Sequence, residues 1–177
     1  MENEMPKKTA RLFLFCAPLL LAACANNGGS APDTAARPAP EHRAAPAKPA
    51  AGATCRSTGP VAGRGKNDAY MCKASAALNS AEAREVLDPA VRVSYGSAGG
   101  NTDVSRQTAN ATGKSPDETC QRAFLNAVKR FQSTAHRKNK NAVRLVSYFD
   151  KKTIGGSEYE CHIGTWNSRV VLKGSYH

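Results

Sequence analysis

Six cysteines and four histidines are the residues of this 177-residue chain with the widest chemical reach. A thiol can be acylated, oxidised to a disulfide, used as a nucleophile or bound to a metal; an imidazole can move protons or ligate. Their settings narrow the choice. No Cys-x-x-Cys pair occurs, so neither a redox dithiol nor a zinc knuckle is encoded, and there is no HExxH and no nucleophile elbow. Of the histidines, His42 lies in a Pro/Ala-rich stretch, His136 near the end of a helical pattern, and His177 is the last residue. His162 adjoins Cys161 in a strand-like run, where neighbours point to opposite faces. The two cannot share a metal, and a surface or helix-contacting role is expected for the histidine. The residues call for no metal and no cofactor.

Gly113-Lys114-Ser115 stands directly before a helical pattern, as the end of a phosphate-binding loop does. The first glycine of such a loop would fall at position 108, which is Thr108. Pro116 also lacks the backbone N–H that the loop would direct at a phosphate. A turn glycine followed by a helix cap accounts for all three residues, and ATPase chemistry is excluded.

Cys24 has the most specific setting. Lys7, Lys8 and Arg11 precede an apolar run from Leu12 to Leu21, which ends in Leu21-Ala22-Ala23-Cys24. The run falls short of the ~20 residues that span a bilayer, and its length suits an export signal. Small residues at 22 and 23 suit a narrow protease site, and the thiol that follows takes lipid. Residues 1–23 therefore read as a lipoprotein signal peptide and Cys24 as the lipidation site. Each buried CH₂ of an acyl chain contributes about 0.8 kcal/mol, so several chains hold a protein on a bilayer almost permanently. Ala25 stands where an aspartate would mark inner-membrane retention. The expected address is the bacterial cell envelope, with the lipid in the outer membrane.

Removing Cys16 with the signal and Cys24 to lipid leaves Cys55, Cys72, Cys120 and Cys161, an even number in an oxidising compartment. Four cysteines allow three connectivities. The expected one keeps each bridge within a segment, Cys55 with Cys72 and Cys120 with Cys161. Between anchor and domain, residues 24–53 are almost wholly Ala, Pro, Gly, Asn and scattered charges, too poor in apolar surface to order. At about 3.1 Å per residue, this disordered stalk could hold a domain up to roughly 90 Å from the lipid.

Residues 54–177 must supply the fold. Cys55 to Cys72 reads as a disulfide-closed polar loop, Ala76 to Leu87 as a short helix or turn, and Val91 to Tyr95 as a strand. Val104 to Ala109 is a weaker strand pattern. Ser115-Pro116-Asp117-Glu118 combines an N-cap, a proline at the first helical position, first-turn acids and a capping box closed by Glu118. Cys120, Phe124, Ala127, Val128, Phe131 and Ala135 then form one apolar stripe, and the helix should end near His136 to Asn139. Strands at Ala142 to Phe149, Glu158 to Thr165 and Arg169 to Lys173 follow. The expected fold is α+β: one main helix on a small, mostly antiparallel sheet, β-β-α-β-β-β, stapled by disulfides.

The formal charge is +11. Three basic and two acidic residues of the signal account for +1 of it, leaving +10. Lys129, Arg130, Arg137, Lys138, Lys140 and Arg144, with Lys151 and Lys152 in a hairpin loop, concentrate that charge late in the chain. Such a patch suits anionic lipid head groups or envelope polymers; a solvated face serving solubility is the alternative. Nucleic acid is not the expected partner, because no reading motif and few interleaved aromatics accompany the charge.

The run Thr108-Ala-Asn-Ala-Thr-Gly113-Lys-Ser-Pro-Asp-Glu-Thr-Cys120, then Ala142-Val143, Val146-Ser-Tyr148, Tyr159-Glu-Cys161-His-Ile-Gly164 and Val171-Leu-Lys-Gly174, resembles a family of small exported proteins. These are commonly labelled "excinuclease ATPase subunit", a label whose ATPase part the residues exclude here. The similarity spans about Val91 to Gly174. The helix followed by Asn141-Ala142-Val143 is also similar in architecture to the stress-sensing outer-membrane lipoproteins of the Rcs envelope pathway. That resemblance implies a disulfide-stapled domain on a stalk and carries no residue-level role. The expected function is a non-enzymatic binding or sensor module of the envelope. Its alternatives are a structural accessory subunit docked on a protein partner in an outer-membrane assembly, and an envelope enzyme whose site the sequence does not advertise.

Overall fold

The computed structural model describes residues 53–63 and 65–177. The expected signal, Cys24 and the stalk up to residue 52 lie outside the described residues. Eleven elements follow in chain order: β1 (Cys55–Pro60), β2 (Asp68–Lys73), α1 (Ala74–Leu78), α2 (Ala81–Val86), β3 (Arg92–Tyr95), β4 (Asp103–Asn110), α3 (Pro116–Arg137), β5 (Ala142–Phe149), β6 (Lys152–Ile154), β7 (Glu158–Ile163) and β8 (Asn167–Tyr176).

Local chemistry sets the limits of α3. The Ser115 hydroxyl accepts from the Glu118 N–H, and Pro116 occupies the first turn, where its missing N–H costs no helical bond. The capping box is only half formed, because the Glu118 carboxylate accepts from Lys114 Nζ at 2.6 Å instead of reaching back to the Ser115 N–H. Asp117 does more than complement the helix dipole. One of its oxygens accepts from Thr54 N, Thr54 Oγ1 and Cys55 N at 2.7–2.9 Å, tying the start of β1 to the start of the helix. At the other end, Asn139 takes the left-handed conformation (φ 53°). Asn139 N–H then donates to His136 O and Lys140 N–H to Ala135 O, a Schellman closure.

The sheet is organised around β8. One edge of β8 pairs along Asn167–Gly174 with β4. The other edge is divided: Ser168–Val170 pair with β7, and Leu172–Tyr176 pair with β5. β5 and β7 part at this point, and the Ser147 hydroxyl spans the gap by accepting from the Glu160 N–H at 3.1 Å. The branch through β7 continues to β2 and β1, and β5 pairs with β3 and β6. All pairings are antiparallel except β3 with β5.

The stripe of α3 packs on one face of this sheet. Phe124, Val128, Phe131 and Ala135 are buried with Tyr159, Cys161, Val143, Leu145, Val170 and Leu172. Phe124 stacks on Tyr159 with ring centroids 4.3 Å apart. Gly174 makes the close approach possible, since a Cβ there would lie 2.5 Å from Leu145 Cδ2 and 2.8 Å from Phe131 Cε1. Both expected disulfides are formed, Cys55–Cys72 across the β1–β2 ladder and Cys120–Cys161 between α3 and β7.

The α+β expectation holds, with additions. The segment from Cys55 to Cys72 is a β-hairpin rather than a plain loop. The hairpin buries only Cys55, Ala69 and Cys72, so the apolar alternation that marks a strand is nearly absent. The stretch read as one helix or turn is two short helices separated by Asn79 and Ser80, with Ser80 capping the second through the Ala83 N–H. The Asp150–Lys151 turn, both residues at positive φ, makes room for the extra strand β6.

Candidate functional site

The expected basic patch divides in space. Lys129, Arg130, Arg137, Lys138 and Lys140 lie on the outer side and C-terminal end of α3, all exposed. Lys129, Ser133 and Arg137 follow at i, i+4 and i+8, and Arg130 joins Arg137 at i+7, so they form one ridge. Among the described residues, Lys129, Arg130, Arg137 and Lys140 make no ion pair with a carboxylate. Arg137 instead donates to the Ser133 and Thr134 hydroxyls. Lys138 is committed, donating to Asp103 Oδ2 at 2.8 Å and lying over the Tyr176 ring. That bond holds the Asp103 carboxyl below its ordinary value, and burial, helped by Asp103, pushes the Tyr176 phenol up to about 12.

Arg144 does not belong to this ridge. It alternates on β5 with Val143 and Leu145, which face α3, so it points to the opposite side of the sheet. There it lines a groove with Arg92 and His177. Lys151 sits in the β5–β6 turn and Lys152 opens β6, apart from the helix ridge in sequence and pairing. The helix gathers Lys129, Arg130 and Arg137 on one side, whereas position along the sequence alone joined Arg144 to them.

The second candidate lies on the sheet face away from α3. The register aligns Ala69 with His162, His162 with Arg169, and Arg169 with Thr108, one residue from each of β2, β7, β8 and β4. These four form a continuous row, because directly paired residues share a face. Thr108, His162 and Arg169 of this row floor a cleft of about 530 Å³, walled by Val61, Ala62, Gly63, Lys66 and Asn67 between β1 and β2, by Gly164 and Asn167 of the β7–β8 turn, and by Asp150.

His162 is neither at the surface nor against the helix, as the sequence suggested. It is 3% exposed on the far face, stacked on Phe149 with centroids 3.8 Å apart. Its neighbours Cys161 and Ile163 fill the helix side, and β5 curls so that Phe149 covers the histidine. His162 Nε2 lies 2.7 Å from Glu160 Oε1, which fixes that nitrogen as the donor to the ionised carboxylate. Nδ1 is buried and has no hydrogen-bond partner among the described residues, and the same is true of Arg169 Nε. The Arg169 guanidinium sits 5.1 Å from the Phe149 centroid and pairs with no carboxylate among the described residues. Two such buried atoms on register-paired residues that both line a cleft are unusual, because each unmade bond costs about 1–3 kcal/mol.

Two other clusters have structural explanations. Gly113 takes positive φ, Lys114 pairs with Glu118, and Ser115 caps α3, so the Gly-Lys-Ser run is a turn and helix start. The sulfurs of Cys55, Cys72 and Cys120 lie within 4.8 Å of one another, but all belong to disulfides, which offer no thiolate. Among the described residues no helix is long and apolar enough to cross a membrane. Fold and site together define a disulfide-stapled α+β domain with a basic helix ridge and a polar cleft on the opposite sheet face. Comparison with protein-family models, with curated proteins and with solved structures gives no match.

Proposed function

We propose that this protein is a cell-envelope lipoprotein, anchored by lipid on Cys24 in the outer membrane, whose folded domain is a non-enzymatic module for binding or sensing anionic envelope components. The signal peptide, the lipobox and the Pro/Ala-rich stalk support the address. The observation that carries the binding reading is the ridge of Lys129, Arg130 and Arg137, exposed on a rigid helix and without a carboxylate partner among the described residues. Charges that are not neutralised internally attract an anionic surface, and a stalk-borne domain meets head groups and wall polymers at high local concentration.

The test is retention of the chain on anionic liposomes and on cell-wall sacculi across a salt series, alongside Lys129→Gln/Arg130→Gln/Arg137→Gln. Retention that falls with salt and is largely lost in the triple variant supports the reading. Salt-independent retention, or a triple variant that binds like the parent, overturns it. The address has its own check: labelled palmitate should enter the parent chain and not Cys24→Ala.

A further inference from the structure

We propose that the far-face cleft is a second, separate binding site, for a sugar that carries an oxyanion group, a phosphate or a carboxylate. The acid group would sit on the Arg169 guanidinium and a sugar hydroxyl would donate to His162 Nδ1; neither Arg169 Nε nor His162 Nδ1 has a partner among the described residues. The pair is built in. Direct β7–β8 register places the two side chains together, Phe149 holds both against its ring, and Glu160 fixes the imidazole by engaging Nε2. Buried polar atoms are normally satisfied, and both residues line the cleft, where a ligand would supply the partner. A guanidinium is suited to an oxyanion because its planar fork can donate two parallel hydrogen bonds. Lys66 adds a cation on the rim, held only at 3.8 Å from Asp68.

Asp150 restricts the class of ligand. Its carboxylate on the cleft wall repels a bare anion but accepts from hydroxyls, and Asn67 and Thr108 extend the polar lining. A ligand with an acid group at one end and hydroxyl donors at the other satisfies both ends, and the cleft of about 530 Å³ holds a single sugar unit. The site does not depend on the α3 ridge, which lies on the other side of the sheet. Either can fail alone.

The experiment is calorimetric titration of the full chain in detergent micelles with glucose 6-phosphate, glucuronate, glucose and inorganic phosphate. Glucose 6-phosphate or glucuronate should bind at least tenfold more tightly than glucose, and the stronger of the two identifies the acid group. Arg169→Gln should lose tenfold or more, and Arg84→Gln on α2, outside both sites, should bind as the parent does. Asp150→Asn, at a turn position that asparagine tolerates, should raise affinity for inorganic phosphate severalfold and narrow the preference for the sugar phosphate over it. This variant decides the matter if Arg169→Gln does not fold. In ¹⁵N-imidazole spectra, His162 should be the histidine whose Nδ1 resonance moves on binding. Binding of neither sugar acid, equal binding of glucose, or parent-like titration by every folded cleft variant would overturn the proposal.

Discussion

The two faces of the sheet follow opposite rules. Under α3 the packing is mostly apolar: Phe124, Phe131, Leu145 and Leu172 interdigitate, and buried Thr119 and Ser168 satisfy each other and nearby carbonyls. On the other face, Phe149, His162 and Arg169 are packed closely with two nitrogens left without partners. The first arrangement maximises burial and leaves nothing over for a ligand. The second keeps desolvated polar atoms available, and such sites mark where stability has been set aside for binding.

Breaking the covered face should have the largest effect. Replacing Cys120 and Cys161 together by alanine releases a loop of about 40 residues, and in the chain-entropy account should lower stability by about 3–4 kcal/mol. Denaturant melting measures this; an unchanged midpoint would mean that the bridge adds nothing to the packing of α3. Next, Gly174→Ala forces a methyl against Phe131 and Leu145 and should cost about 1–3 kcal/mol, whereas alanine at Gly155, whose Cβ would meet only ordinary contact, should be tolerated.

Alkaline pH tests the same face through its phenols. Burial raises the pKa of Tyr95 and Tyr159 well above the ordinary 10. As pH rises past 10 the unfolded chain ionises these groups while the folded chain does not, so stability is full below pH 10 and falls above it. Tyr95→Phe should soften that alkaline loss in a melting series. In acid the sign reverses. At Glu82, burial raises the carboxyl, but hydrogen bonds from Gln121 and Arg122 outweigh it and the net shift is downward; Lys138 lowers Asp103. Their contribution is present above the ordinary values of 4.5 and 3.8 and is lost as pH falls below them. Both carboxylates are partly exposed, so the acid effect should be the smaller of the two.

The far face should respond least in stability. Arg169→Gln removes a buried unsatisfied N–H along with a cation–π contact, and these changes oppose each other. Its unfolding free energy from denaturant melting should stay within about 1 kcal/mol of the parent's. A large loss would mean that Arg169 is a structural residue and would remove the contrast between the faces.

The helix-covered face was legible because its signals are local. The Ser115 cap, Pro116 and the 3.6-residue stripe all lie within one segment, and alternation at Tyr159, Cys161 and Ile163 gave the buried side of β7. The cleft was not legible, because Ala69, His162, Arg169 and Thr108 come from four strands. Arg169 gave no signal by itself, because β8 also carries Asn167, Ser168, Lys173 and Ser175. Alternation also showed that His162 faces away from Cys161. It could not show that β5 would curl to place Phe149 over it.

By itself, then, the sequence determined what depends on neighbours along the chain: the lipobox pattern at Cys24, the limits of α3, its apolar stripe and its row of cations. It also supplied four cysteines whose spacing admits the disulfides that form. The tertiary structure decided which residues meet across strands. It separated Arg144 from the helical cations, set Gly174 beneath Phe131, and put His162 beside Arg169 with no partner for either buried nitrogen among the described residues. The physical reason is register. Strand pairing is non-local, and a shift of one residue would send every side chain in that row to the other face.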